Sequence, residues 1–108
     1  MDEKCLNHIR SLCDDLNNIV TTPHAAKRFR ERKILLKTII EAIRNGEIIE
    51  HYPNDYPFPS FLVHGITSKN INLHTVCAVG DNKLWIITSY FPSSDEWEDD
   101  CKTRKAVK

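Results

Sequence analysis

An α+β fold, with helices first and then an antiparallel sheet of about four strands, follows from two observations on this 108-residue chain. Apolar residues recur at steps of three and four as far as Gly46, and at steps of two beyond it. The punctuation agrees. Pro23 and Gly46 bound helical stretches, whereas Pro53, Pro57, Pro59 and the Asp81-Asn82 pair fall between extended ones.

Leu6, Ile9, Leu12, Cys13, Leu16, Ile19 and Val20 share one stripe, which predicts an amphipathic helix over 2–20. Thr21-Thr22-Pro23 stops it and starts the next. Thr22 is the expected cap, and Pro23 suits the first helical position, where no amide hydrogen is needed. This second helix covers 23–32 and carries Lys27, Arg28, Arg30, Arg32 and, just beyond it, Lys33, opposed only by Glu31. A third helix is expected over 35–45, with Leu36, Ile39, Ile40 and Ile43 on one side and Gly46 as its terminating residue.

Residues 48–52 then read as a short strand ended by Pro53, and 54–59 as an irregular loop. Further strands are expected at 61–66, 73–79 and 84–91, joined by turns at 67–70 and 80–83. Such short connections favour antiparallel neighbours. Phe29, Ile39, Ile43, Val63, Val76 or Cys77, and Ile87 are the expected core contributors. Alternation groups Trp85, Ile87 and Phe91 as the more apolar set of the last strand, and leaves His74 and Tyr90 on the less covered sheet face. A slip of one residue would invert that assignment.

The chain is one domain by length. Fifteen basic residues balance fifteen acidic ones, so no global field draws it to nucleic acid or a membrane surface, although the run at 27–33 is a local basic patch. No apolar run approaches the ~20 residues that span a bilayer, and the N-terminus has no apolar leader. A cytoplasmic protein without membrane contact is expected. Cys5, Cys13, Cys77 and Cys101 show no zinc-type spacing, and Cys77 reads as a small buried hydrophobe. There is no glycine-rich phosphate loop, no nucleophile elbow, no His-Glu-x-x-His and no aspartate cluster for magnesium. No metal and no cofactor is expected.

Chemistry therefore rests on a few polar side chains. His24, Arg28 and Glu31 fall on one helical stripe flanked by Arg32, a pattern suited to holding a phosphate. The plainer reading is a solvated helix face with a weak Arg28–Glu31 pair. His74 lies mid-strand, where a histidine is commonly structural, and Tyr90 ends the last strand. Trp97 reads as an anchor for the acidic block at 95–100.

Longer motifs narrow the choice. The string His24-Ala25-x-x-Arg28-x-x-Glu31-Arg32-x-Ile34 is followed by Ala42-Ile43-x-Asn45-Gly46-Glu47-Ile48-Ile49-Glu50-x-Tyr52-Pro53-x-Asp55. Pro59-Ser60, Leu62-Val63-x-Gly65, Leu73-His74-x-Val76, Ile86-Ile87-Thr88-x-Tyr90-x-Pro92, Trp97 and the basic end 102–105 then follow in order. Across about 22–105 this resembles the family catalogued as domain of unknown function 4258. The resemblance divides the chain into an N-terminal helix at 1–21, a family core at 22–97 and a charged tail at 98–108. It implies a RelE-like or MqsR-like toxin of a toxin–antitoxin pair, with the helix-then-antiparallel-sheet fold of barnase-like ribonucleases. The implied partners are RNA and a zinc-finger/helix-turn-helix antitoxin.

The family's polar positions fall on His24, Arg28, Glu31, Arg32, His74 and Tyr90. Two positions depart from its pattern: Lys33 stands where a glycine is usual, and Leu35 where a capping Ser or Asp is usual. The implied activity is metal-independent RNA cleavage by the neighbouring 2′-hydroxyl. His24 or His74 would serve as base or acid, and Arg28, with Lys27, Arg32 and Lys33, would hold phosphates. Glu31 would orient them, and Tyr90 would position the substrate or stack on a base. A non-catalytic RNA- or protein-binding module is the alternative.

Overall fold

The computed structural model describes residues 3–105. Three α-helices, α1 (Glu3–Leu12), α2 (Pro23–Glu31) and α3 (Leu36–Asn45), lie on one face of a five-stranded sheet. Its strands are β1 (Ile19–Thr21), β2 (Glu47–Tyr52), β3 (Ser60–Ile66), β4 (Asn72–Gly80) and β5 (Lys83–Tyr90), in the order β1-β5-β4-β3-β2. Strands β2 to β5 form the expected antiparallel meander. The sheet has a fifth strand, however, and it is not wholly antiparallel, because β1 pairs with β5 in parallel.

That fifth strand comes from the far end of the helix expected over 2–20, whose first residue lies outside those described. The helix stops at Leu12. Asp15 instead caps a short 3-10 turn at Leu16–Asn18 by accepting a hydrogen bond from the Asn17 amide at 2.9 Å. Asp and Asn side chains compete with helical bonding in this way, and the Ile19-Val20-Thr21 run that follows is β-branched throughout. An open β5 edge then gives this run partners, with Ile19 opposite Leu84 and Thr21 opposite Ile86.

The other helix ends follow local chemistry more closely. Thr22 accepts a hydrogen bond from the Ala25 amide at 3.1 Å, with Pro23 in the first turn, as the sequence leads one to expect. Lys33 closes the α2 corner with φ of 58°. A left-handed backbone there is what a glycine would adopt freely. Gly46 ends α3 with an extended backbone, so its role is not conformational. A β-carbon there would lie 2.5 Å from the His64 carbonyl oxygen. Gly65 is tighter still, since its β-carbon would meet the Ala42 carbonyl oxygen at 1.9 Å where α3 crosses β3. The β4–β5 hairpin turns on Asp81 and Asn82, both left-handed, which fits a two-residue type I′ turn.

The core lies between the helices and one sheet face. Ile9, Phe29, Ile39, Ile43, Val63, Leu73, Cys77, Leu84 and Ile86 are all buried there. Ile87, expected in the core, is 46% exposed. The pairing passes from Val76–Thr88 to Cys77–Ile86, so Ile87 is bulged out of the β4–β5 ladder. Beyond the bulge the faces exchange. Leu84, Ile86 and Ser89 face the helices, while Trp85, Thr88 and Tyr90 face away, so the Trp85–Ile87–Phe91 set expected from simple alternation does not form.

Two measurements check this packing. Gly65→Ala should lower stability by about 3 kcal/mol in urea unfolding, because backbone atoms on both sides of the contact must separate. Lys33→Gly should raise it by about 1 kcal/mol by relieving the left-handed lysine.

Candidate functional site on the strap-covered sheet face

The sheet face away from the helices is organised in rows set by the register. Glu47, His64, His74 and Tyr90 form one row, and Glu50, Leu62, Val76 and Thr88 the next. Tyr52, Ser60, Ala78 and Trp85 form the third. A bulge at Ile49 is what brings Glu47, Glu50 and Tyr52 to the same face, since strict alternation would separate Glu47 from Glu50.

A C-terminal strap covers part of this face. Its two arms are joined by Glu98 N–H to Thr103 O at 2.8 Å, Lys105 N–H to Glu96 O at 2.8 Å, and a bridge between Trp97 and Arg104. Asp100 accepts from the amides of Lys102 and Thr103 and so closes the turn, with Cys101 left-handed at φ 58°. Residues 98–105 are therefore folded back on the sheet rather than forming a loose charged tail, and 106–108 lie outside the described residues. Trp97 is buried, as an anchor should be.

His74 lies completely buried beneath this strap. Its ring meets Trp97 edge-on at 4.4 Å, Tyr90 at 5.4 Å and His64 at 5.7 Å. The ring Nε2 is 2.6 Å from the Cys101 carbonyl oxygen, which can only accept, so Nε2 carries the hydrogen. Nδ1 is then left to accept from the Tyr90 hydroxyl at 3.4 Å. Burial lowers the pKa of the imidazole, and the Cys101 bond opposes that only in part, so His74 is neutral at physiological pH. Burial likewise raises the pKa of the Tyr90 hydroxyl.

Beside this pair stands an ion cluster. Arg104 donates to both Glu50 oxygens, Nε to Oε2 at 2.6 Å and Nη2 to Oε1 at 3.0 Å, and its guanidinium stacks 4.6 Å from the Trp97 ring centre. The Tyr52 hydroxyl donates to Glu50 as well. Arg104 holds the Glu50 carboxyl below its ordinary pKa, while burial and the bond to Glu50 push Tyr52 up to about 12. Lys102 extends the row of charges by pairing with Glu47 at 2.6 Å.

The residues singled out in the sequence divide into two groups. His74 and Tyr90 come together. His24, Lys27, Arg28 and Glu31 lie exposed on the outer side of α2, across the sheet from that pair, while Ala25 and Phe29 face the core. Among the described residues no ion pair joins Arg28 to Glu31. Arg32 is committed elsewhere. It donates to Thr88 Oγ1 at 3.2 Å and to the Ser89 carbonyl at 2.8 Å, on the stretch of β5 edge beyond the end of β1. Lys33 is exposed at the α2 corner. Glu50, Tyr52 and Arg104 carry no site signal in the sequence beyond their place in the motif string and the basic end. The spacing of Glu50 and Tyr52 on one strand hinted at a shared face, but nothing local connects either to a residue more than fifty positions away.

The fold and this face define a small α+β protein with a mixed five-stranded sheet and a titratable cluster remote from its core. A family model described as Domain of unknown function (DUF4258) matches residues 21–91, about two-thirds of the chain, and the chain belongs to that family. The matched segment runs from β1 to just past β5, so α1 and the strap lie outside it. No curated protein and no solved structure matches the chain. Among the described residues, no helix is long and apolar enough to cross a membrane.

The Glu50–Arg104 pair predicts a pH dependence. A carboxyl whose folded-state pKa is depressed contributes stability above its unfolded value of about 4.3, and loses it as pH falls through the folded value. The stability difference between wild type and Glu50→Gln, from urea unfolding, should be largest above about pH 5 and shrink steadily below pH 4. A difference independent of pH over that range would show that the pair adds nothing to folding.

Proposed function

We propose that the protein is a metal-independent endoribonuclease whose reacting groups are Glu50, Arg104 and Tyr90. The observation that carries this reading is their shared face. An ionised carboxylate, a guanidinium and a protonated phenol can supply the base, the cation and the acid that cleavage by a ribose 2′-hydroxyl requires. Glu50 stays ionised at neutral pH and accepts the 2′-hydroxyl proton. Arg104 exchanges a carboxylate oxygen for a phosphate oxygen and offsets the charge on the pentavalent phosphorus. Tyr90 keeps its proton at neutral pH, gives up its long bond to His74 Nδ1 and delivers that proton to the leaving 5′-oxygen. The P–O2′ bond forms as the P–O5′ bond breaks, giving a 2′,3′-cyclic phosphate and a 5′-hydroxyl.

In this reading His74 is a positioning residue rather than the base or acid expected from its motif, because it is buried and its Nε2–H is bound to the strap. Lys27 and Arg28 on the exposed side of α2 attract the RNA backbone from outside the reacting centre. The proposed regulatory partner is an antitoxin of the zinc-finger/helix-turn-helix type. The burial of His74 and the engagement of Arg104 also favour a second reading, a non-catalytic RNA- or protein-binding module.

The test is cleavage of single-stranded RNA by purified protein in EDTA, with the ends mapped. Cleavage should be undiminished by chelator, leave cyclic or 3′-phosphate ends, and fail where the cut site is 2′-deoxy. Glu50→Gln and Arg104→Ala should each slow it by about 10²-fold with the fold intact by circular dichroism. Products with 5′-phosphates, or full activity in both variants, would overturn this assignment. Intact RNA with measurable binding would establish the second reading.

A further inference from the structure

At the end of the sheet where β5 finishes, a groove of about 380 Å³ runs between the first turns of α3 and the β3–β4 turn. Its apolar lining is Leu35, Ile71 and Phe91, which are 68%, 45% and 46% exposed. Lys33, Lys37 and Lys69 rim it, and Glu41 is the only acidic residue among those lining it. Among the described residues none of the three ammonium groups has a carboxylate partner. We propose that this groove docks a short acidic segment of a partner protein, one that inserts aliphatic or aromatic side chains between the lysines.

Charge complementarity selects the partner's sign, since three lysines facing one glutamate leave a net positive rim. The lining selects its class. Leu35 and Ile71 offer aliphatic surface to apolar side chains, and Phe91 is the single ring among the lining residues, short of the row of rings on which successive bases stack, which favours peptide over RNA. The groove's size suits a segment of a few residues rather than a whole domain face.

The local backbone supports the same assignment. Leu35 occupies the N-cap of α3 and makes no side-chain capping bond, where Ser, Thr, Asp or Asn would supply one. Two positions earlier, Lys33 is left-handed. The corner gives up local stability twice, at the two residues that supply an exposed apolar anchor and one of the rim charges. Functional surfaces are where broken local rules are expected to gather. Phe91 directly follows Tyr90, so a docked segment lies next to the proposed reacting face. The inference rests on the groove alone and stands whether or not that face cleaves RNA.

The test pans a random linear peptide library on immobilised full-length protein. Enriched peptides should interleave Asp or Glu with Leu, Ile or Phe. They should lose at least about tenfold in affinity on Leu35→Asp and on the Lys37→Glu/Lys69→Glu pair, with both variants folded by circular dichroism. Panning on the charge-reversed pair should enrich Lys and Arg instead. No enrichment, peptides without acidic bias, or binding unchanged by these substitutions would overturn the proposal. So would displacement of the peptides by labelled oligouridylate, which would make the groove an RNA site. A wild-type dimer dissociated by Leu35→Asp would make its occupant a second copy, and would overturn the proposal equally.

Discussion

The indole of Trp97 lying edge-on against the His74 imidazole is the contact on which the character of the outer sheet face depends. Without it, a histidine in the middle of a central strand would sit in water and titrate near neutrality. With it, the ring is removed from solvent, held neutral, and given one acceptor for its Nε2 hydrogen at the Cys101 carbonyl. That acceptor exists only because the strap turns sharply at Cys101, a turn fastened by Asp100 and its two backbone donors. The strap therefore acts on the site in two ways. It buries His74, and it fixes which ring nitrogen faces Tyr90.

The same strap delivers Arg104 to Glu50. Both ends of that pair are partly wet, so its contribution to folding is small by comparison with the burial of Trp97. Its consequence is geometric. Stacked on Trp97 and forked onto Glu50, the guanidinium is held in one orientation by two neighbours at once. Apolar anchoring and charge placement are thus the work of neighbouring positions in one hairpin-like element, and loss of the Trp97 anchor would release both His74 and Arg104.

What the sequence made legible follows the range of the interactions involved. Thr22-Pro23, the Ile39–Ile43 stripe and the Asp81-Asn82 turn are local signals, and the structure obeys them. The Ile19-Val20-Thr21 strand was hidden because its apolar spacing also satisfies a helix, and only an open β5 edge decides between the two. Alternation puts Ile87 in the core, and the structure does not, because a bulge inserts one residue without any mark in the hydrophobic pattern. His74 lies on the face away from the helices, as alternation along β4 predicts, whereas Tyr90 reaches that face only through the bulge at Ile87. The strap that then covers His74 depends on contacts with residues far from it in sequence, so its Cys101 carbonyl and its Arg104 side chain could not be read from local spacing.

The two bulges have a further structural effect. Each sits where a polar side chain must reach the outer face while an apolar neighbour stays in the core. At Ile49 the bulge follows core-facing Ile48 and turns Glu50 outward. At Ile87 it follows core-facing Ile86 and brings Thr88 and Tyr90 outward, with Ser89 inward to pair its hydroxyl with Thr75 at 3.1 Å. Strict alternation would have turned both Glu50 and Tyr90 toward the helices, into a core with no partner for a carboxylate. Arg32 then fastens the bulged half of β5 by donating to Thr88 and to the Ser89 carbonyl, where β1 no longer covers the edge. A basic residue of the α2 segment thereby fixes, from behind, the strand that carries Tyr90, while Lys27 and Arg28 on the same segment are exposed.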